Sequence, residues 1–254
     1  MKIHFTIIIL LSFFSINAQN TISFKKSDFD LPSVISELFE AKYNTQTKEF
    51  IWKPNYAEKL EFGVSSDGYL YTKIDTILKY GVDKNIGTIV TNTYVKDVNG
   101  EYESCHACSP SLSLITFKLD DERINLELSY FKKFVSKFGS FGESASVSIL
   151  QISEDDYCIK VSNEWVGQGS SYSYEHLYYE GENILNIDSY GERTEEPNKF
   201  HFITTIGVDK INKIITLTKK ESSISKKTKQ KITINNIEKY KFDDYNYRYI
   251  KICN

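Results

Sequence analysis

The sequence predicts an all-β fold, mainly antiparallel, with one short helix near its start. From about residue 50 onward, apolar residues recur with a period of two, as they do in strands with one buried face. Turn signals such as Asn99-Gly100 separate these segments. No helical patterns alternate with them, which argues against a parallel sheet. We therefore expect a sandwich or a curved, partly closed sheet.

The first residues are typical of a secretory signal peptide. Lys2 precedes the apolar run Ile7–Phe14, and Ala18 stands before a polar start. This run is too short to cross a bilayer, and no later stretch is apolar enough to do so. We expect a signal peptide over residues 1–18 and a mature single β-rich domain over 19–254. The mature chain would be exported to the periplasm or the extracellular space, with no membrane span.

One segment has the pattern of an amphipathic helix. Asp30 precedes Leu31-Pro32, and proline is favoured in the first turn of a helix. Apolar residues then recur at helical spacing, namely Leu31, Val34, Ile35, Leu38 and Phe39. The sequence predicts a helix near residues 31–43 and offers no second pattern of this quality.

The remaining elements are predicted as short strands. Their apolar phase is clear except between Leu114 and Ile115, where a shift indicates a bulge. Tyr245, Tyr247 and Tyr249 alternate near the end, which fits either an exposed aromatic strip or a packed sheet face. The predicted strands are Tyr71–Tyr80, Thr88–Val95, Leu112–Leu119, Ile124–Tyr130, Val147–Ile152, Tyr157–Val161, Ile184–Ile187, Phe202–Ile206 and Ile214–Thr218.

Charge and motifs exclude several function classes. The net charge of -3 gives no electrostatic reason to expect nucleic-acid binding. Gly167-Gln168-Gly169 is not a dinucleotide motif, because no strand–helix unit with a third glycine surrounds it. No Gly-x-Ser-x-Gly or His-Glu-x-x-His motif is present. We predict no catalytic residue, no metal ligand and no cofactor.

Cys105-His106-Ala107-Cys108 is the most unusual local chemistry in the chain. Covalent haem attachment is excluded, because Ser109 stands where that motif requires histidine. A zinc or copper site, a thiol redox centre and a small disulfide-closed turn remain open. The export signal, Pro110 and the strand-like flanks favour the disulfide between Cys105 and Cys108.

The other two cysteines also suit a disulfide. Cys158 shares the less apolar face of its strand with Lys160, and Cys253 shares such a face with Lys251. An even number of cysteines in an exported chain favours bonded pairs. We therefore predict a bond between Cys158 and Cys253.

The strongest candidate for ligand contact is the loop Gly167–Ser171 with the aromatic residues around it. Trp165 and Tyr172 flank this loop, and Tyr174 follows. Aromatic rings contribute large contact area at low entropy cost, which suits a glycan or a peptide. The candidate binding residues are His106, Trp165, Gln168, Tyr172 and Tyr174.

Three motifs in order resemble a set of uncharacterised exported bacterial proteins. They are Cys105-His106-Ala107-Cys108, Phe138–Gly142 and Gly167-Gln168-Gly169, within roughly residues 88–190. The start, ending in Asn17-Ala18-Gln19, is similar to signal peptides of Bacteroidetes-type bacteria. The resemblance implies export and brings no activity.

The sequence thus predicts a non-enzymatic exported protein that binds an envelope or extracellular component. The alternative is a hydrolase or a thiol- or metal-dependent redox protein. Its centre would be near Cys105–Cys108 and Gly167–Ser171.

Overall fold

The part of the chain that the structure describes forms two antiparallel sheets and two short α-helices. The computed structural model describes residues 23–25, 30–64, 68–103, 108–118, 125–137, 143–167, 169–194, 199–224, 228 and 230–252. The predicted all-β fold with a short helix near the start is confirmed. The predicted signal peptide lies outside the described residues, so it stays a prediction.

The first sheet, sheet A, has the spatial order β1-β7-β6-β5-β4-β3-β2. Most neighbours in sequence are therefore neighbours in space, joined as antiparallel hairpins. Its strands are β1 (Ser23–Lys25), β2 (Lys42–Asn44), β3 (Glu49–Trp52), β4 (Leu70–Tyr80), β5 (Ile86–Tyr94), β6 (Ser111–Lys118) and β7 (Asn125–Lys137).

The second sheet, sheet B, has the spatial order β15-β14-β13-β12-β11-β10-β9-β8. It is an uninterrupted meander, in which each strand pairs with the next along the chain. Its strands are β8 (Ser146–Gln151), β9 (Tyr157–Gly167), β10 (Ser170–Tyr179), β11 (Glu182–Arg193), β12 (Phe200–Asp209), β13 (Ile214–Ile224), β14 (Lys231–Asp243) and β15 (Arg248–Ile252).

Helix α1 (Leu31–Phe39) begins where the sequence predicts and ends earlier. The Asp30 carboxylate accepts a hydrogen bond of 3.2 Å from the Ser33 backbone N–H, which caps the helix. Glu40 adopts a left-handed conformation with φ of 52°, and the chain then enters β2. The predicted range of 31–43 was therefore too long, because its last residues pair in sheet A.

Helix α2 (Tyr56–Phe62) was not predicted, because none of its residues is buried and it has no apolar period. Its ends did carry a signal. The Asn55 side chain and Glu58 form a reciprocal capping box, and Gly63 ends the helix with φ of 66°.

Within the described ranges, buried side chains form three clusters, one on each side of sheet A and one within sheet B. Helix α1 covers the first side of sheet A, where Ile35, Phe50 and Ile115 lie. The second cluster joins the sheets, with Leu114 of β6 near Val161 of β9. Sheet B folds over on itself, so that β15 contacts β11, and encloses the third cluster around Leu177 and Ile215.

The apolar phase shift in β6 has a different cause from the predicted one. Leu114 and Ile115 point to opposite sides of sheet A, and each side is buried. Their pairing with β5 is unbroken, since Val90 faces Leu114 and Ile89 faces Ile115. The register shifts lie between β6 and β7, where Phe134 has φ of 59°.

Cys158 lies in the cluster enclosed by sheet B, with no exposed surface, and it is a free thiol. The predicted Cys158–Cys253 disulfide is therefore not formed in the structure; Cys253 itself lies outside the described residues. The prediction failed because the face opposite Ile159 and Val161 is covered by the folded-over sheet. Burial raises the pKa of the Cys158 thiol, and so disfavours the reactive thiolate.

The tyrosines near the end do not form a strip. Tyr249 is buried in sheet B, while Tyr245 is 90% exposed in the turn before β15. Tyr247 has φ of 48° in the same turn and stacks on Tyr179. The turn breaks the alternation that the sequence pattern implied.

Asp156 holds the folded-over part of sheet B in place. Its carboxylate accepts hydrogen bonds from Tyr179 at 3.0 Å and Ser153 at 2.8 Å, and it pairs with Lys213 at 2.9 Å. Lys213 also binds Asp244 at 2.7 Å. Three separate turns of sheet B are thereby joined around one lysine.

Asp156→Asn is expected to lower the free energy of unfolding at pH 7 by about 1–2 kcal/mol. Burial tends to raise the pKa of Asp156, but its hydrogen bonds outweigh burial and hold the pKa below the ordinary value. The carboxylate therefore stabilises the fold above about pH 4, and this contribution is lost as pH falls through the lower folded-state pKa.

Urea unfolding of both proteins between pH 7 and pH 2 measures this difference. The two stability curves should converge at the acid end. The neighbouring, exposed Asp155 serves as the control through Asp155→Asn. Curves that stay parallel over the whole range would contradict the assignment.

Candidate functional site

Aromatic side chains from neighbouring strands form a row across sheet B. Tyr172 on β10 pairs with Trp165 on β9 and with Gly191 on β11, and Gly191 pairs with Phe202 on β12. Directly paired residues share one face of a sheet. The rings of Tyr174 and Phe200 contact this row as well. We call the whole set the aromatic row; it consists of Trp165, Tyr172, Tyr174, Phe200 and Phe202.

The rings of the aromatic row support one another. The centroids of Trp165 and Tyr172 are 5.8 Å apart, and those of Tyr172 and Tyr174 are 6.2 Å apart. Tyr172 and Phe200 are separated by 6.2 Å, and Phe200 stacks on Phe202 at 6.3 Å. These separations lie in the favourable range for aromatic pairs. The row is therefore held in shape before any ligand arrives.

Gly191 makes room for the row. A Cβ atom at this position would lie 2.1 Å from Cε1 of Phe202, so the Phe202 ring occupies the space that any side chain would need. Phe202 is consequently buried, while the other four rings are half-buried. Each of those four keeps part of its surface in contact with solvent.

The row leads into a polar pocket of about 260 Å³ between β11, β12, β13 and β14. The Lys219 ammonium group lies 3.9 Å from the Phe202 ring centroid and also lines the pocket. Asp188, another lining residue, pairs with Tyr174 in the sheet. Its polar lining residues are Asn186, Asp188, Thr204, Lys219, Asn236, Glu238 and Tyr240.

Ion pairing and hydrogen bonds fix the positions of side chains in this pocket. Lys251 and the Tyr240 hydroxyl donate hydrogen bonds to the Glu238 carboxylate, at 2.5 and 2.6 Å. The bond from Lys251, and after it the bond from Tyr240, hold the pKa of Glu238 below its usual value. Glu238 therefore stays ionised and accepts hydrogen bonds. At the row, partial burial and then the charge of Asp188 raise the pKa of Tyr174, so its hydroxyl stays neutral.

Three of the predicted binding residues, Trp165, Tyr172 and Tyr174, are thus brought together. Gln168 and His106 lie outside the described residues. Sequence reasoning missed Phe200, Phe202 and Lys219, which come from β12 and β13. The alternation of Phe200 and Phe202 was a usable signal, but only the strand register shows that they lie beside Tyr172.

The described residues do not unite the stretches that the alternative function requires. Cys108 lines a small cleft of about 110 Å³ on sheet A, beside Phe62, Tyr94 and Lys137. Gly169, with φ of 68°, belongs to the tight connection between β9 and β10 in sheet B. The predicted bond from Cys108 to Cys105 stays a prediction, because Cys105 lies outside the described residues.

Comparisons with models of protein families, with curated proteins and with solved structures find no match for this chain. The resemblance to exported bacterial proteins therefore stays a prediction. Neither α1 nor α2 is long and apolar enough to cross a membrane.

Proposed function

We propose that the protein binds a carbohydrate chain along the aromatic row and in the polar pocket at its end. One observation supports this above all, namely the continuity of the two features. Rings from β9, β10 and β12 lead through Phe202 and Lys219 to a set of hydrogen-bonding side chains. The proposal is of a binding protein without enzymatic activity.

The aromatic row suits the flat side of a sugar ring, and the polar pocket suits its hydroxyl groups. The flat side of a sugar ring presents C–H groups with slight positive charge, which suit the negative face of an aromatic ring. Its edge carries hydroxyl groups, which both donate and accept hydrogen bonds. Asn186, Asn236 and Glu238 offer amide and carboxylate partners of this kind. Rigid rings lose little conformational entropy on contact.

The position of the row within sheet B favours a glycan over an extended peptide. Strands β9, β10, β11 and β12 each have a neighbour on both sides. At Tyr172, Phe200 and Phe202 the backbone is paired with a neighbouring strand on both sides, whereas a peptide that adds as a strand needs a free edge. The row therefore offers side-chain faces to a ligand. If the chain is exported as the sequence predicts, the ligand is an envelope or extracellular glycan.

Replacing Tyr172 with alanine is expected to weaken glycan binding at least tenfold, because Tyr172 contacts three other rings of the row. A glycan array with the purified protein would identify the ligand, and titration calorimetry would measure the affinity. Lys219→Met tests the pocket end of the site in the same assay.

The matched control is Tyr56→Ala, because Tyr56 is 78% exposed on α2 and lies outside the row. It should bind as the unmodified protein does. A bound glycan whose affinity is unchanged by Tyr172→Ala and Lys219→Met would contradict the proposal. Binding of extended peptides in place of glycans would also contradict it.

A further inference from the structure

A larger cleft lies where sheet A and sheet B meet, away from the aromatic row. Its volume is about 660 Å³, and both sheets contribute to its walls. Sheet A supplies ends of β4 to β7, and sheet B supplies the turns that follow β8 and β10. Sites for small molecules commonly have volumes of about 300–1,000 Å³. The cleft therefore has room for a compact organic molecule.

Tyrosine rings form much of the cleft wall, namely Tyr80, Tyr130, Tyr157 and Tyr179. Tyr80 of sheet A and Tyr157 of sheet B lie 5.5 Å apart between ring centroids. The Tyr80 hydroxyl shares a hydrogen bond of 2.9 Å with Thr88, which is bound in turn to Thr116 at 2.7 Å. Burial raises the pKa of Tyr80, so the ring stays neutral. The Tyr80 part of the wall is thus aromatic, neutral and held in position.

Among the described residues that line the cleft, carboxylates outnumber cations. Asp156 is already paired with Lys213 at 2.9 Å. The described lining also contains three further carboxylates and one lysine, namely Glu127, Asp155, Glu180 and Lys118. Burial is the main cause that raises the pKa of Tyr130, and the negative charge of Glu180 raises it further. The negative charge at the rim therefore acts on the cleft interior.

The β10–β11 turn closes one side of the cleft. A Cβ at Gly181 would lie 3.0 Å from Cβ of Lys132 on β7, so the turn backbone packs directly against sheet A. Gly181 has φ of 80°, and Lys132 binds Glu182 at 2.6 Å beside it. The two sheets are joined at this wall, so the cleft is preformed.

We propose that this cleft binds a small organic cation, an amine or a quaternary ammonium compound. A cation over the face of a tyrosine ring is attracted by the ring quadrupole, and more strongly where water is excluded. Carboxylates such as Asp155 and Glu180 add charge attraction at the rim. An anion would meet the same carboxylates unfavourably. This site is separate from carbohydrate binding and does not depend on it.

Choline is the probe for the test, with the full-length protein and titration calorimetry. Its neutral isostere, in which a tert-butyl group replaces the trimethylammonium group, should bind at least tenfold more weakly. Glu180→Gln and Tyr157→Leu should each weaken choline binding at least fivefold. The control variants are Glu164→Gln and Tyr245→Leu, since both residues are exposed and lie outside the cleft. Rising salt should also weaken binding.

Equal affinity for choline and its isostere would overturn the proposal. Failure to bind choline and failure to bind spermidine, taken together, would overturn it as well. If circular dichroism shows that Tyr157→Leu does not fold, Glu180→Gln still tests the proposal, because Glu180 is exposed. Tyr172→Ala should leave choline binding unchanged, which separates failure of this proposal from failure of carbohydrate binding.

Discussion

Replacing Leu114 with alanine is expected to lower the free energy of unfolding by about 2–5 kcal/mol. Leu114 has no exposed surface and lies in the cluster that joins the two sheets, near Val90 and Val161. Its backbone is held by β5 on one side and β7 on the other. The surrounding strands therefore have little freedom to close the cavity that alanine leaves. The variant loses the free energy of burying the leucine side chain and also carries the cost of the cavity.

Urea unfolding followed by circular dichroism measures this loss. Leu60→Ala is a matched control, because Leu60 is 68% exposed on α2 and should change stability by no more than about 0.5 kcal/mol. A Leu114→Ala variant as stable as Leu60→Ala would show that the sheets do not depend on this contact.

Glu49→Ala is expected to lower the free energy of unfolding by about 3 kcal/mol. Loss of a single ion pair on the surface would lower it much less. The Glu49 residue is only 3% exposed. It lies 3.0 Å from the Lys96 ammonium and 3.9 Å from that of Lys73, and it accepts a hydrogen bond from the Tyr102 hydroxyl. Removal of the carboxylate leaves Lys96, whose side chain is 18% exposed, without its negative partner.

A double variant separates the loss of the Glu49 interactions from the cost of an uncompensated charge on Lys96. Glu49→Ala combined with Lys96→Met should recover part of the lost stability, because the uncompensated ammonium group is gone. Glu101→Ala is the control for loss of an exposed glutamate. A loss below about 1 kcal/mol for Glu49→Ala would show that the pair behaves as a surface pair.

The candidate binding site divides into a part that the sequence predicts and a part that it does not. Trp165, Tyr172 and Tyr174 lie on β9 and β10, which are joined by a tight turn, so their proximity follows from local pairing. Phe200 and Lys219 reach the same site only through the register of β11, β12 and β13. That register is set by pairing between strands distant from Tyr172 in sequence.

Burial on both sides of a strand was the main source of error. Alternation in a single strand shows which face is apolar, but not whether the opposite face is covered. Ile159 and Val161 marked one buried face of β9 correctly. Cys158 was assigned to the less apolar face, yet sheet B folds over that face and buries the thiol.

By itself the sequence determined the all-β class, the start of α1 and the positions of most strands. These features depend on local periodicity, on Asp30 as a helix cap and on turns such as Asn99-Gly100, which act over a few residues. Only the tertiary structure decided that sheet B folds over on itself and that the aromatic row meets Lys219. It also decided that a tyrosine-lined cleft opens between the sheets. These features arise from contacts between surfaces far apart in the chain, which no local pattern encodes.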